Sequence, residues 1–168
     1  MLPTNSVILF ETSQGKRYER ILYYYKDVIY LIDIYGNSMP TTVSETFIQN
    51  GLNDGTILVL ENEPYIIIKE EEDILPKHKA IRDKAYNAIK DIVTFEPDIY
   101  IPDKRVKLVR EYVDNIHEAT VMRYLKRFWQ RGMHKNSLLP DFYKCGKVQG
   151  DKVIKNTFTI TPETIRIF

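Results

Sequence analysis

His117, Glu118, Thr120, Met122 and Arg123 lie within one short stretch of this chain, and most of them suit the edges of DNA bases. An arginine can bond two acceptors on guanine, a glutamate can accept from cytosine, and a threonine or methionine can touch the thymine methyl group. Lys126, Arg127 and Arg131 follow within the next turns of a helix. Cations in that position are placed for phosphates, which set register and affinity but carry no sequence code.

To act together, these side chains need a helix whose other face is anchored. Ile116, Val121, Leu125, Phe128 and Trp129 supply such a face for a helix expected over residues 118–131 and stopped at Gly132. Asp114-Asn115 forms a tight turn before it, and asparagine tolerates the left-handed backbone that glycine often provides there. Residues 104–113 read as the preceding helix, with Asp103 as its N-cap and Val106, Val109, Tyr112 and Val113 facing inward. Helix, tight turn and helix make a helix-turn-helix, which lays one helix across the DNA backbone and the next in the major groove. An earlier helix over 77–92 is expected to bury Ile81, Ala85, Ala88, Ile89 and Ile92, leaving Lys77, Lys79, Arg82, Lys84 and Lys90 outside. On pattern alone, the last helix also fits an ordinary amphipathic helix with a basic solvent face.

The start of the chain has a different period. Alternation and β-branched or aromatic content predict strands over 6–11, 17–25, 28–35, 56–60 and 65–69. A short helix is expected over 42–50, capped by Thr42 or Ser44 and stopped by Gly51. The tyrosines at 23, 24, 25, 30 and 35 are read as packing residues rather than a binding face. The fold class is therefore α+β: a small β-barrel-like module over 1–72, then a helical helix-turn-helix domain over 76–146. Residues 147–168 read as a linker and the start of a truncated following segment, where Thr161 and Pro162 could open a helix. Glu70–Asp73 is taken as a solvated linker between the modules. Charge follows the same division. Residues 1–75 hold 5 Lys+Arg against 12 Asp+Glu, and residues 76–147 hold 16 against 9. The basic part suits a phosphate backbone and is expected to bind duplex DNA without the acidic part.

The strings TVMRYLKRFWQRG and NSLLPDF, four residues apart, resemble the TnsB-type transposases of the retroviral-integrase-like group. In that family a basic helix ending in W-Q-R-G, followed by N-x-L-[LI]-P-D-[YF], closes a helix-turn-helix in the N-terminal DNA-binding region. The similarity is dense over 103–146, while over 1–75 it lies in the order of elements. Thr161-Pro162-Glu163 with Ile165 and Phe168 resembles the family segment that leads to the catalytic half. The resemblance implies sequence reading by His117, Glu118, Thr120, Met122 and Arg123, and backbone binding by Lys126, Arg127 and Arg131. It implies double-stranded DNA at transposon end repeats as the partner, with other transposition proteins as further candidates. Family chemistry uses three carboxylates on a ribonuclease-H-like fold to hold two metal ions. That fold needs far more chain than the 26 residues after Phe142.

No active site is therefore assigned, and the chain is not read as an enzyme. His117, His134 and Cys145 have irregular spacing for a metal site, so neither a metal nor a cofactor is expected. Cys145 is the only cysteine, and no apolar run suits a membrane span or a signal peptide, so a cytoplasmic location without membrane contact is expected. Two other readings stay open: a freestanding helix-turn-helix regulator, and an interaction adaptor working through its acidic β module. The chain shows no dimerisation helix for a palindrome, which weighs against the regulator.

Overall fold

The computed structural model describes residues 1–13, 15–62 and 69–141. Five strands come first: β1 (Val7–Thr12), β2 (Gly15–Tyr25), β3 (Val28–Asp33), β4 (Thr41–Ser44) and β5 (Ile57–Val59), with helix α1 (Glu45–Asp54) between the last two. They form one antiparallel sheet in the order β4-β3-β2-β1-β5. Helices α2 (Pro76–Ile89), α3 (Pro102–Tyr112) and α4 (Glu118–Gln130) follow.

The pleat explains how this sheet holds two cores. Alternate residues of a strand point to opposite faces. Ile29 and Leu31 of β3 pack with Ile8, Phe10, Ile21, Ile48 and Ile57 under α1. Tyr30 and Ile32, their neighbours, pack on the other side with Ala85, Ile89, Val121, Leu125 and Trp129 of the helices. Between Ile21 and Tyr23 the β2–β3 register slips. This extra residue lets Leu22 and Tyr23 both face the helices. The charge split suggested separable modules, yet their apolar residues share one cluster.

Several sequence expectations change. Residues 41–44 are a strand, and the helix after them runs past Gly51 to Asp54. Ser44 is the cap, accepting from the Phe47 amide at 3.2 Å. Gly51 is buried in the helix because a Cβ there would press into Ile57 of β5. The stop is Gly55, at φ 79°. Helix α3 starts on Pro102, its N-cap position is Ile101 with no side-chain cap bond, and Asp103 lies in the first turn. Tyr112 is exposed. Of the five tyrosines, Tyr25 and Tyr35 are exposed, while the others pack as expected. Residues 65–68 of the strand expected over 65–69, Cys145 and the whole of 147–168 fall outside the described residues, and Lys69 is not in a strand.

In α2 the inward position is taken by Arg82, 1% exposed, while Ile81 is 45% exposed. Arg82 donates from Nη1 to Glu71 Oε2 at 2.6 Å and from Nη2 to Oε1 at 2.8 Å. It also bonds Asp83 Oδ1 from Nε and Asn136 Oδ1 from Nη1, both at 2.7 Å. A buried guanidinium needs such partners. The acidic run is thus a clasp as well as a linker. The Arg82 hydrogen bonds hold Glu71 and Asp83 below their ordinary carboxylate values of 4.5 and 3.8. A lowered carboxylate stabilises the fold fully above its unfolded value, and that contribution is lost as pH falls through the folded value. Thermal melts should hold steady above pH 4.5 as far as this clasp is concerned and weaken below it. Glu71→Gln should lower the melting temperature at neutral pH and flatten the acid limb; an unchanged limb would remove Glu71 from the account.

Candidate nucleic-acid interface

The α3–α4 turn has the geometry its residues allow. Asn115 takes φ 61°, in the left-handed region. His117 is the N-cap of α4, its Nδ1 accepting from the Ala119 amide at 3.2 Å. Glu118 in the first turn and Arg127 in the last complement the helix dipole. Val121, Leu125, Phe128 and Trp129 are buried and fix the inner face. With 3.6 residues per turn, the side facing away from them centres on Arg123.

The eight residues expected to act on DNA do not form one set. Arg123 is exposed, lies 6.0 Å from the centre of the Tyr124 ring, and enters no ion pair among the described residues. Thr120 is half-buried on the same outward side. Glu118 is paired with Arg110 at 3.2 Å, and His117 is occupied as the cap. Met122 packs against the apolar cluster and is a poor candidate for a base contact. Lys126 reaches away from the helix to the Asn37 side chain, in the loop between β3 and β4.

Arg127 and Arg131 are drawn to the opposite flank by Asp141. Arg131 donates from Nη1 to Oδ1 at 2.8 Å and from Nη2 to Oδ2 at 2.6 Å. Arg127 Nη2 shares Oδ2 at 2.7 Å. Arg131 is buried, and burial with nearby Arg131 lowers the Arg127 pKa. Phosphate binding expected of Arg131 meets a physical obstacle, since its fork is already filled by a carboxylate.

The string WQRG and the NSLLPD that follows it have a shared structural task. Trp129 is 1% exposed and packs on Tyr100, with Arg105 over its ring at 6.0 Å. Gln130 Nε2 donates to the carbonyls of Asp33 at 2.8 Å and Gly36 at 2.9 Å. The Gln130 carbonyl accepts from buried Arg20 of β2 at 3.1 Å, and the Gly132 carbonyl accepts from Asn5 at 3.1 Å. Gly132 has φ 103°, where a side chain would strain the backbone. Asn136 holds Arg82, and Ser137 Oγ donates to the Arg131 carbonyl at 2.9 Å. Most of these bonds join the helices to the sheet or to the chain after α4. Sequence reading missed Asn37, Gln130 and Arg20, whose partners lie about a hundred residues away in the chain. No local pattern marks them.

No group of His, Cys, Asp and Glu suited to a metal is found among the described residues. No helix among them is long and apolar enough to cross a membrane.

These features define a small β module clasped to a helix-turn-helix domain. The model of the TnsB N-terminal SH3-like domain matches residues 1–64, and that of the TnsB second domain matches 82–142. The two stretches together take in most of the chain, which belongs to the TnsB family. The transposon Tn7 transposition protein TnsB of Escherichia coli is 28% identical over 151 residues, covering 87% of this chain and 20% of that protein. The chain thus spans about a fifth of the length of this curated relative.

Proposed function

We propose that this chain recognises double-stranded DNA at the ends of a mobile element, as the N-terminal part of a transposase. The observation that carries the reading is Arg123: an exposed arginine at the centre of the outward face of the second helix of a helix-turn-helix, within a TnsB second domain. In this reading α4 enters the major groove and Arg123 meets a base edge, with Thr120 beside it. His117 and Glu118 position the start of the helix. The division into 1–72 and 76–146 is kept as a division of labour, with α4 as the reader and the β module as its support. Cutting and joining of strands belong to another part of the transposase. The two TnsB domains favour this over a freestanding regulator.

The test starts with selection of a preferred site from a randomised duplex pool, followed by anisotropy on selected and scrambled duplexes. Affinity should fall ~10-fold or more between about 50 and about 200 mM salt if a few phosphates are contacted. Arg123→Ala should cost ~1–3 kcal/mol on the selected site and much less on the scrambled one. Failure to enrich any site, or equal losses on both duplexes, would reject Arg123 as the reader.

A further inference from the structure

We infer that the loop between β3 and β4 forms a DNA-backbone contact with α4, resting on the reading that α4 enters the major groove. Ala119, Arg123, Lys126 and Gln130 recur at helical spacing and share one side of α4. The first two are exposed. The last two end on the β3–β4 loop: Lys126 Nζ donates to the Asn37 side-chain oxygen, and Gln130 Nε2 donates to the Asp33 and Gly36 carbonyls. The exposed face of the helix therefore runs directly into this loop.

The spacing suits a phosphate. Along an α-helix, Lys126 stands ~4.5 Å and Gln130 ~10.5 Å beyond Arg123. The major groove is ~12 Å wide. With Arg123 on a base edge, the Lys126–Asn37 pair falls at the wall of the groove, where the phosphates lie. The chemistry agrees. An ammonium has three donors; Asn37 accepts two, at its side-chain oxygen and, at 3.4 Å, at its carbonyl, so one remains for an anion. With its oxygen turned to Lys126, the Asn37 amide presents its NH₂ donors elsewhere, and both Asn37 and Ser38 are exposed. The loop is also held in shape. Asp33 Oδ1 accepts from the Tyr35 and Gly36 amides, each at 2.9 Å, below the two Gln130 bonds. A fixed loop loses little entropy when it binds. The acidic β module would then supply part of the DNA surface through one of its uncharged tips.

Asn37→Asp separates this from the base-reading role. The aspartate keeps an acceptor for Lys126, so the loop stays attached, but it turns a donor into a negative charge facing the phosphate. Full-length Asn37→Asp should bind ~10-fold more weakly on selected and scrambled duplexes alike, with a salt slope smaller by about 0.9 for the lost phosphate. Asn37→Ala should show a smaller loss in the same direction. Phosphate-ethylation interference on the wild-type complex should reveal a blocked position that is relieved in Asn37→Ala. If Asn37→Asp binds like wild type while Arg123→Ala loses the selected site, the loop contact is refuted and the reading helix stands. If wild-type chain binds no duplex, both fall.

Discussion

Trp129→Ala should cost about 3–5 kcal/mol, the range for removing a large buried aromatic side chain. Trp129 is 1% exposed and lies where Tyr100 and Arg105 of the helical domain meet the cluster that includes Leu22, Tyr30 and Ile32 of the sheet. Truncation would leave a cavity bordered by both modules, so their stabilities should fall together. Denaturant unfolding of wild-type chain, followed by Trp129 fluorescence and by far-ultraviolet circular dichroism, should give coincident transitions. Trp129→Phe, which refills much of the space, should cost less than Trp129→Ala. Two separate wild-type transitions, or a loss below ~1 kcal/mol in Trp129→Ala, would mean that the shared cluster does not couple the modules. The same coupling bears on a fragment of residues 76–168, which would expose the sheet-facing side of Tyr100 and Trp129.

The sequence made legible what local chemistry decides. Asn115 could be assigned a left-handed turn, and it takes φ 61°. Ser44 is a capping residue by type and it caps α1. The inward face of α4 follows from its 3.6 period, and Val121, Leu125, Phe128 and Trp129 are all buried. What failed depends on partners far away in the chain. Arg82 occupies the inward stripe with Ala85 and Ile89, but its charge argued for solvent until Glu71 and Asn136 arrived to satisfy it. Gly51 looked like a helix stop because the close passage of Ile57 is invisible locally. The same holds for the candidate site. Its central residue, Arg123, is exposed as the pattern implies. Met122 is drawn into packing, Lys126 reaches the sheet loop, and Arg127 and Arg131 turn to Asp141. The strings that resemble TnsB most densely are rich in such long-range bonds, so they mark the joint that sets the pose of α4 as much as the surface that would meet DNA.

Asp141→Ala should lower stability strongly without improving DNA binding. The Arg131 side chain is 10% exposed and that of Asp141 is 19% exposed. Removing one partner of a buried ion pair typically costs about 3–5 kcal/mol, and this partial exposure places the expected loss in the lower part of that range. Two roles for Arg127 and Arg131 then give opposite binding results. If they are phosphate ligands restrained by Asp141, the substitution releases them, affinity should rise on any duplex, and the salt slope should steepen by up to about 2 units. If they are structural, folded protein should show no gain in affinity or slope. The geometry favours the second role, because Arg131 presents its fork to both Asp141 oxygens and Arg127 shares one of them. Anisotropy well below the melting temperature, with circular dichroism confirming the folded fraction, separates the cases. A stable Asp141→Ala protein that binds duplex more tightly than wild type would return Arg127 and Arg131 to the DNA-contacting surface.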